Sequence, residues 1–144
     1  VVTVYLASRS EDRNHIQQVA KQLRSKGISI TSGWLRYGGM AYQHLDRMSE
    51  ADAWRLVATN DLSDVDAADL VAVFSPVKAL KIGTGGRHIE FGYAYGTGKP
   101  IVLVGKPGTV FHYLPGVHHV PKEKDLAAFI LSGVWRNKKK RRMH

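Results

Sequence analysis

The chain has 144 residues, 44% hydrophobic and 23% charged, with no cysteine. That length and balance fit one globular domain with a real core, and they exclude disulfides and cysteine-ligated zinc. No apolar run approaches the roughly 18 residues that span a bilayer, and the net charge of +9 is concentrated at one end: Arg136, Lys138, Lys139, Lys140, Arg141 and Arg142 supply six charges, leaving +3 for residues 1–135.

The expected organisation is a single domain over residues 1–135 and a basic tail over 136–144. A run of this kind reads as a solvated tail. Nucleic-acid contact or targeting are its other uses, and no aromatic residues interleave with the charges to favour the former. The first residues form a strand pattern without a charged leader, so no signal peptide is expected and the expected location is cytoplasmic.

Val1–Ala7 is β-branched and almost wholly apolar, the pattern of a strand buried on both faces of a parallel sheet. A polar loop, Ser8–Arg13, leads into a helix that Ser10 or Asp12 would cap. Ile16, Val19, Ala20 and Leu23 recur at helical spacing, and Gly27 stands in the position that ends a helix. Ile28–Thr31 is a second, short strand, and the βαβ unit so formed implies a right-handed crossover. Trp34 and Tyr37, in a glycine-bearing loop, either cover the core edge or stack on a planar ligand. Ser49 with Asp52 three residues on marks a helix start. Trp54, Val57 and Ala58 are its expected apolar stripe and Leu62 its approximate end. An acidic connector over 63–69 then feeds a third strand, Leu70–Phe74, which Pro76 closes.

The stretch Gly83-Thr84-Gly85-Gly86-Arg87-His88-Ile89-Glu90-Phe91-Gly92 follows that strand and opens a helix that runs out at Gly96-Thr97-Gly98. Its glycines allow positive φ and close backbone approach, and a helix start offers unpaired N–H groups and a positive dipole end. Glu90 then has two readings, a dipole-stabilised glutamate at a helix start or a functional carboxylate in a ligand cradle. Ile101–Val104 is a fourth strand, Val117–Val120 a fifth, and Asp125–Val134 a last helix with Leu126, Phe129 and Ile130 on one face.

Five strands alternating with helices predict a doubly wound α/β domain with a parallel sheet in the order 2-1-3-4-5. Ligands then bind beyond the carboxyl ends of the strands. That rim gathers loops 7–13, 75–90 and 105–113. There is no nucleophile elbow, no P-loop and no dinucleotide fingerprint, so triphosphate hydrolysis and a redox cofactor are not expected. His118 and His119 are adjacent on a strand and point to opposite faces, a poor metal pair. The remaining groups are Glu90, Asp69, Tyr5, Ser8, Arg9, Ser10, Thr84 and Arg87. A carboxylate among them can attack an anomeric carbon while a second group handles the leaving group's proton. Tyr5 could hold Glu90 or reach water, and Asp69 could serve the site or bond to backbone.

Several stretches carry a resemblance. Tyr5-Leu6-Ala7-Ser8-Arg9, Asn60-Asp61-Leu62, Ala68-Asp69-Leu70-Val71-Ala72-Val73-Phe74, Gly85 through Ala94, and Gly98-Lys99-Pro100-Ile101 together resemble the nucleoside 2-deoxyribosyltransferase superfamily, which includes the (deoxy)nucleoside 5′-monophosphate N-glycosidases. The likeness covers about residues 3–131, and the stretch around Glu90 is its most specific part. It implies a flavodoxin-like three-layer fold, Glu90 as the nucleophile at C1′, Tyr5 as the residue that positions it, and Asp69 as the assisting aspartate. Transferases of that family often carry an aspartate six residues before the glutamate. Here that position is Thr84, and a hydroxyl there, with Arg87, Arg9 and Ser10 nearby, implies a phosphorylated ligand cradled by Ser8, Arg9, Ser10, Thr84, Gly85, Gly86 and Arg87. The resemblance also implies a homodimer or larger homo-oligomer, with no metal or redox cofactor.

The expected function is cleavage of the N-glycosidic bond of a (deoxy)nucleoside or its 5′-monophosphate, with the sugar passed to another base or to water. The alternative is a nucleotide-binding or sensing module without turnover. A nucleic-acid accessory role through residues 136–142 is a third, and its affinity would fall steeply with salt.

Overall fold

The computed structural model describes residues 1–36, 47–76 and 85–137. Five strands, β1 (Thr3–Ala7), β2 (Ser29–Ile30), β3 (Leu70–Phe74), β4 (Ile101–Val104) and β5 (His118–Val120), form one parallel sheet in the order 2-1-3-4-5. Among the described residues four helices flank it: α1 (Arg13–Ser25), α2 (Glu50–Ala67), α3 (Gly86–Gly96) and α4 (Leu126–Ser132). The flavodoxin-like order expected from the alternation of elements is the order found.

The core lies where the strands are apolar at every position. β3 is buried along its whole length, and so is β4. Both faces of these strands are covered, which is why neither alternates in polarity. The register sets Tyr5 beside Val71 and Ala7 beside Val73, so β1 and β3 end together at their carboxyl edge.

Local departures from the sequence reading have physical causes. α1 begins at Arg13 after a 3-10 turn over Ser10–Asp12, and neither Ser10 nor Asp12 caps it through its side chain. The Asp12 carboxylate is taken instead by Arg9. α1 does end at Gly27, where φ is 82°. Ser49 caps α2 by accepting from the Asp52 N–H at 3.1 Å, but the helix runs past Leu62 to Ala67 and absorbs most of the expected connector. Its inward stripe is Ala53, Val57, Asp61 and Val65, four residues apart. Trp54 stands off that stripe and is 71% exposed. Trp34 is buried and donates its indole N–H to the Leu6 carbonyl at 2.8 Å, so it covers the core edge. Tyr37 lies outside the described residues. α4 is shorter than expected, because 3-10 turns occupy Glu123–Asp125 and Val134–Arg136. Trp135 is buried, and the Arg136 guanidinium lies 4.4 Å from its ring, so that cation sits against the domain.

Candidate active site

The carboxyl edge of β1 and β3 faces the first turns of α3. Gly85 takes φ 84° as the residue before α3, a conformation that only glycine adopts without strain. α3 then starts at Gly86, so its first turn contains no acidic residue and Glu90 opens the second turn. The reading of Glu90 as a dipole-stabilised glutamate in the first turn therefore does not hold. Its side chain points inward and is 8% exposed.

Tyr5, in the middle of β1, is inaccessible to solvent. Its hydroxyl donates to Oε2 of Glu90. Burial pushes the Glu90 carboxyl up to about 8; the Tyr5 hydrogen bond acts in the opposite direction, and the charges of Asp61 and Asp64 raise it further. Burial first, and then the neighbouring carboxylates, lift the Tyr5 phenol well above its ordinary range. Tyr5 is thereby fixed as a proton donor to Glu90 across the physiological range.

The sequence reading missed Asp61 as a member of this cluster. It occupies the inward stripe of α2, and α2 packs on both β1 and α3. Burial, with Asp64 second, raises its carboxyl to about 6. Its Oδ1 is buried without a hydrogen-bond partner among the described residues. The signal was present in the spacing: an aspartate at the third position of an otherwise apolar i, i+4 series is a carboxylate facing inward.

Asp69 is placed elsewhere. It precedes β3 at the amino edge of the sheet, is exposed, and accepts the Thr3 backbone N–H at 3.0 Å. That backbone hydrogen bond holds its carboxyl below the ordinary range, with the Thr3 hydroxyl and the charges of Arg136 and Lys99 adding to it against a smaller opposing effect of burial. Parallel strands keep their two edges apart, so Asp69 and Glu90 lie at opposite ends of β3. The bond to backbone is the arrangement realised.

The expected cradle is partly assembled. Ser8 is buried and donates to the Arg9 carbonyl at 2.9 Å, and Ser10 is exposed at the start of its 3-10 turn. Arg9 makes a two-point contact with Asp12, both arms at 3.1 Å. Arg87 projects from the first turn of α3, and its Nε is buried without a hydrogen-bond partner among the described residues. Burial and the charge of Arg9 both disfavour its protonated form, which sets the two guanidinium groups in one electrostatic field. Among the described residues, a Cβ built on Gly86 would meet nothing within 4 Å. Thr84 lies outside the described residues.

The third rim loop also reaches α3. His112 is buried, accepts the Gly108 N–H at Nδ1, and lies 5.4 Å from Phe91 and 6.2 Å from His88. Burial and the neighbouring His88 and Arg87 favour its neutral form. His118 packs on Phe129 and His119 on Tyr113, on different faces as expected. Among the described residues no group of three acidic or histidine side chains is placed to hold a metal ion, and no helix is long and apolar enough to cross a membrane.

A family model described as nucleoside 2-deoxyribosyltransferase matches residues 4–125. Solved structures share the fold, among them two enzymes. One is a CMP N-glycosidase from Clostridium botulinum, 22% identical, with a TM-score of 0.57, covering 90% of this chain and 98% of that one. The other is a 2-deoxyribosyltransferase from Bacillus psychrosaccharolyticus, 21% identical, with a TM-score of 0.64, covering 90% of this chain and 96% of that one. Among curated proteins, none matches this chain.

Proposed function

The chain belongs to the nucleoside 2-deoxyribosyltransferase family, and from that premise we propose that it cleaves the N-glycosidic bond of a (deoxy)nucleoside 5′-monophosphate with Glu90 as nucleophile. The observation that carries this reading is the grip of a buried tyrosine on a buried glutamate at the carboxyl edge of the sheet. A carboxylate so held presents its free oxygen in one direction, which suits attack at a single carbon.

In the first step Glu90 forms an ester bond to C1′ while the C1′–N bond breaks and its electron pair leaves with the base. Asp61 supplies the proton that the leaving base takes up. In the second step water or an incoming base attacks C1′, the ester breaks, and the Glu90 carboxylate is restored. Two displacements retain the configuration at C1′. Asp61 and Glu90 form a coupled pair, raised to about 6 and about 8, so between those pH values the pair carries one proton. The competent arrangement places that proton on Asp61 and the charge on Glu90. Base release should therefore follow a bell between the two values.

The two guanidinium groups support the phosphate. Arg87 has a buried nitrogen without a hydrogen-bond partner among the described residues, beside a helix N-terminus, a setting suited to an anion, and Arg9 lies in the same field. The two solved relatives carry the two activities in their names, an N-glycosidase and a transferase. The test is base release from a panel of nucleosides and 5′-monophosphates, with and without an acceptor base. Release from monophosphates is the expected result, and turnover only with acceptor would identify transfer. Tight binding of monophosphates without any base released would overturn the catalytic reading and leave a nucleotide-binding module.

A further inference from the structure

Asp64 is a third acidic side chain of the cluster, and the reaction just described gives it no task. It lies three residues beyond Asp61 on α2, a spacing that puts two side chains on one helix face. It is not a loose surface group. Its Oδ2 accepts the Gly33 backbone N–H at 2.9 Å, and its own carbonyl accepts the Thr31 hydroxyl at 2.9 Å. Both partners belong to the segment that leaves β2, so the carboxylate is pinned between α2 and that segment. Its charge acts on Tyr5, Asp61 and Glu90, three groups from three different elements.

We propose that Asp64 is a positioning residue for the proposed reaction: a fixed negative charge that retains a proton on the Asp61–Glu90 pair until the leaving base takes it. Two carboxylates alone, both half-buried or buried, already resist being ionised together. A third one, anchored by a backbone N–H, strengthens that resistance without touching the substrate. Among the described residues, the groups that act on the pair are Tyr5 from β1, which donates to Glu90, and Asp64 from α2, through its charge. The charged groups farther along the packed elements have other engagements. Asp66 of α2 accepts from the Tyr93 hydroxyl, Arg87 of α3 shares the field of Arg9, and Arg36 is exposed at the end of its 3-10 turn.

The inference rests on the glycosidase reading, so its test has one readout with turnover and one without. Asp64→Asn keeps an oxygen for the Gly33 N–H and removes the charge. Both limbs of the base-release profile should then move to lower pH. Carbon-13 titration of the Asp61 and Glu90 carboxyls should show the same displacement in protein that is given no substrate. Asp64→Ser, smaller and also uncharged, serves if the amide does not fold, and Asp64→Glu should restore the wild-type profile. Carboxyl titrations and limbs that stay in place in a folded, uncharged variant would overturn the role of Asp64. Titrations that move in a protein releasing no base would uphold the electrostatic role and reject the glycosidase reading instead.

Discussion

Tyr5 and Glu90 are 85 residues apart in sequence and joined by a hydrogen bond in which the phenol donates and the carboxylate accepts. β1 supplies the donor and α3 the acceptor, so the contact exists only once the sheet and the helix over it have formed. It consumes one carboxylate oxygen and opposes, without offsetting, the burial that favours the protonated form of Glu90.

Tyr5→Phe keeps the ring in the core and removes that opposition. Glu90 should bind its proton more tightly, and base release at pH 7 should fall about 10- to 100-fold with little change in KM. Steady-state kinetics with circular dichroism as a folding control would check this. An unchanged kcat would mean that the hydroxyl holds nothing the reaction needs.

Asp61→Asn removes the proton proposed for the leaving base. Release of an ordinary purine or pyrimidine should drop by about 100-fold. A base that is already cationic, such as an N7-methylated guanine, leaves without a proton and should lose much less. Equal losses on both substrates would argue that Asp61 acts on the sugar or on the fold.

Stability should carry the trace of a misplaced charge. Glu90 is raised from 4.5 to about 8 in the folded protein. Between those values the folded state holds a proton that the unfolded chain has released, so stability falls as pH rises across that window. Glu90→Gln cannot ionise and should escape the loss. Its advantage over wild type should be absent near pH 4, grow through the window, and reach on the order of a few kcal/mol by pH 8. Urea unfolding at several pH values would measure it. An advantage that does not change with pH would contradict the burial of that charge.

Much of the fold was legible because strand burial leaves an unmistakable pattern. Leu70–Phe74 and Ile101–Val104 are apolar throughout, and only a strand covered on both faces reads that way. Glycines at 27, 85 and 98 punctuate the helices, and all three take positive φ. The two ends of α2 were unequally legible. Ser49 with Asp52 is a local signal of its start, whereas its run to Ala67 depends on packing against the sheet and α3, which overrides the acidic composition of residues 61–66. Asp69 looked suitable in the linear order, but the parallel register carries it to the amino edge, where the Thr3 N–H receives it. Glu90 and Tyr5 were brought together as expected: the mid-strand Tyr5 hydroxyl reaches the helix that follows the neighbouring strand.

Arg87→Ala should separate phosphorylated from plain substrates. Loss of a charge-assisted contact should raise KM for 5′-monophosphates about 10- to 100-fold and leave free nucleosides nearly unaffected. Parallel increases for both would place Arg87 at the sugar or the base.

The most direct test of the proposal is mass spectrometry of enzyme quenched during turnover of a slow 5′-monophosphate substrate, one whose sugar is fluorinated at C2′. The expected result is an added sugar phosphate on the peptide that contains Glu90, absent from Glu90→Gln. Base released at full rate by Glu90→Ala, or a sugar product inverted at C1′ with no adduct at any stage, would contradict a glutamate nucleophile.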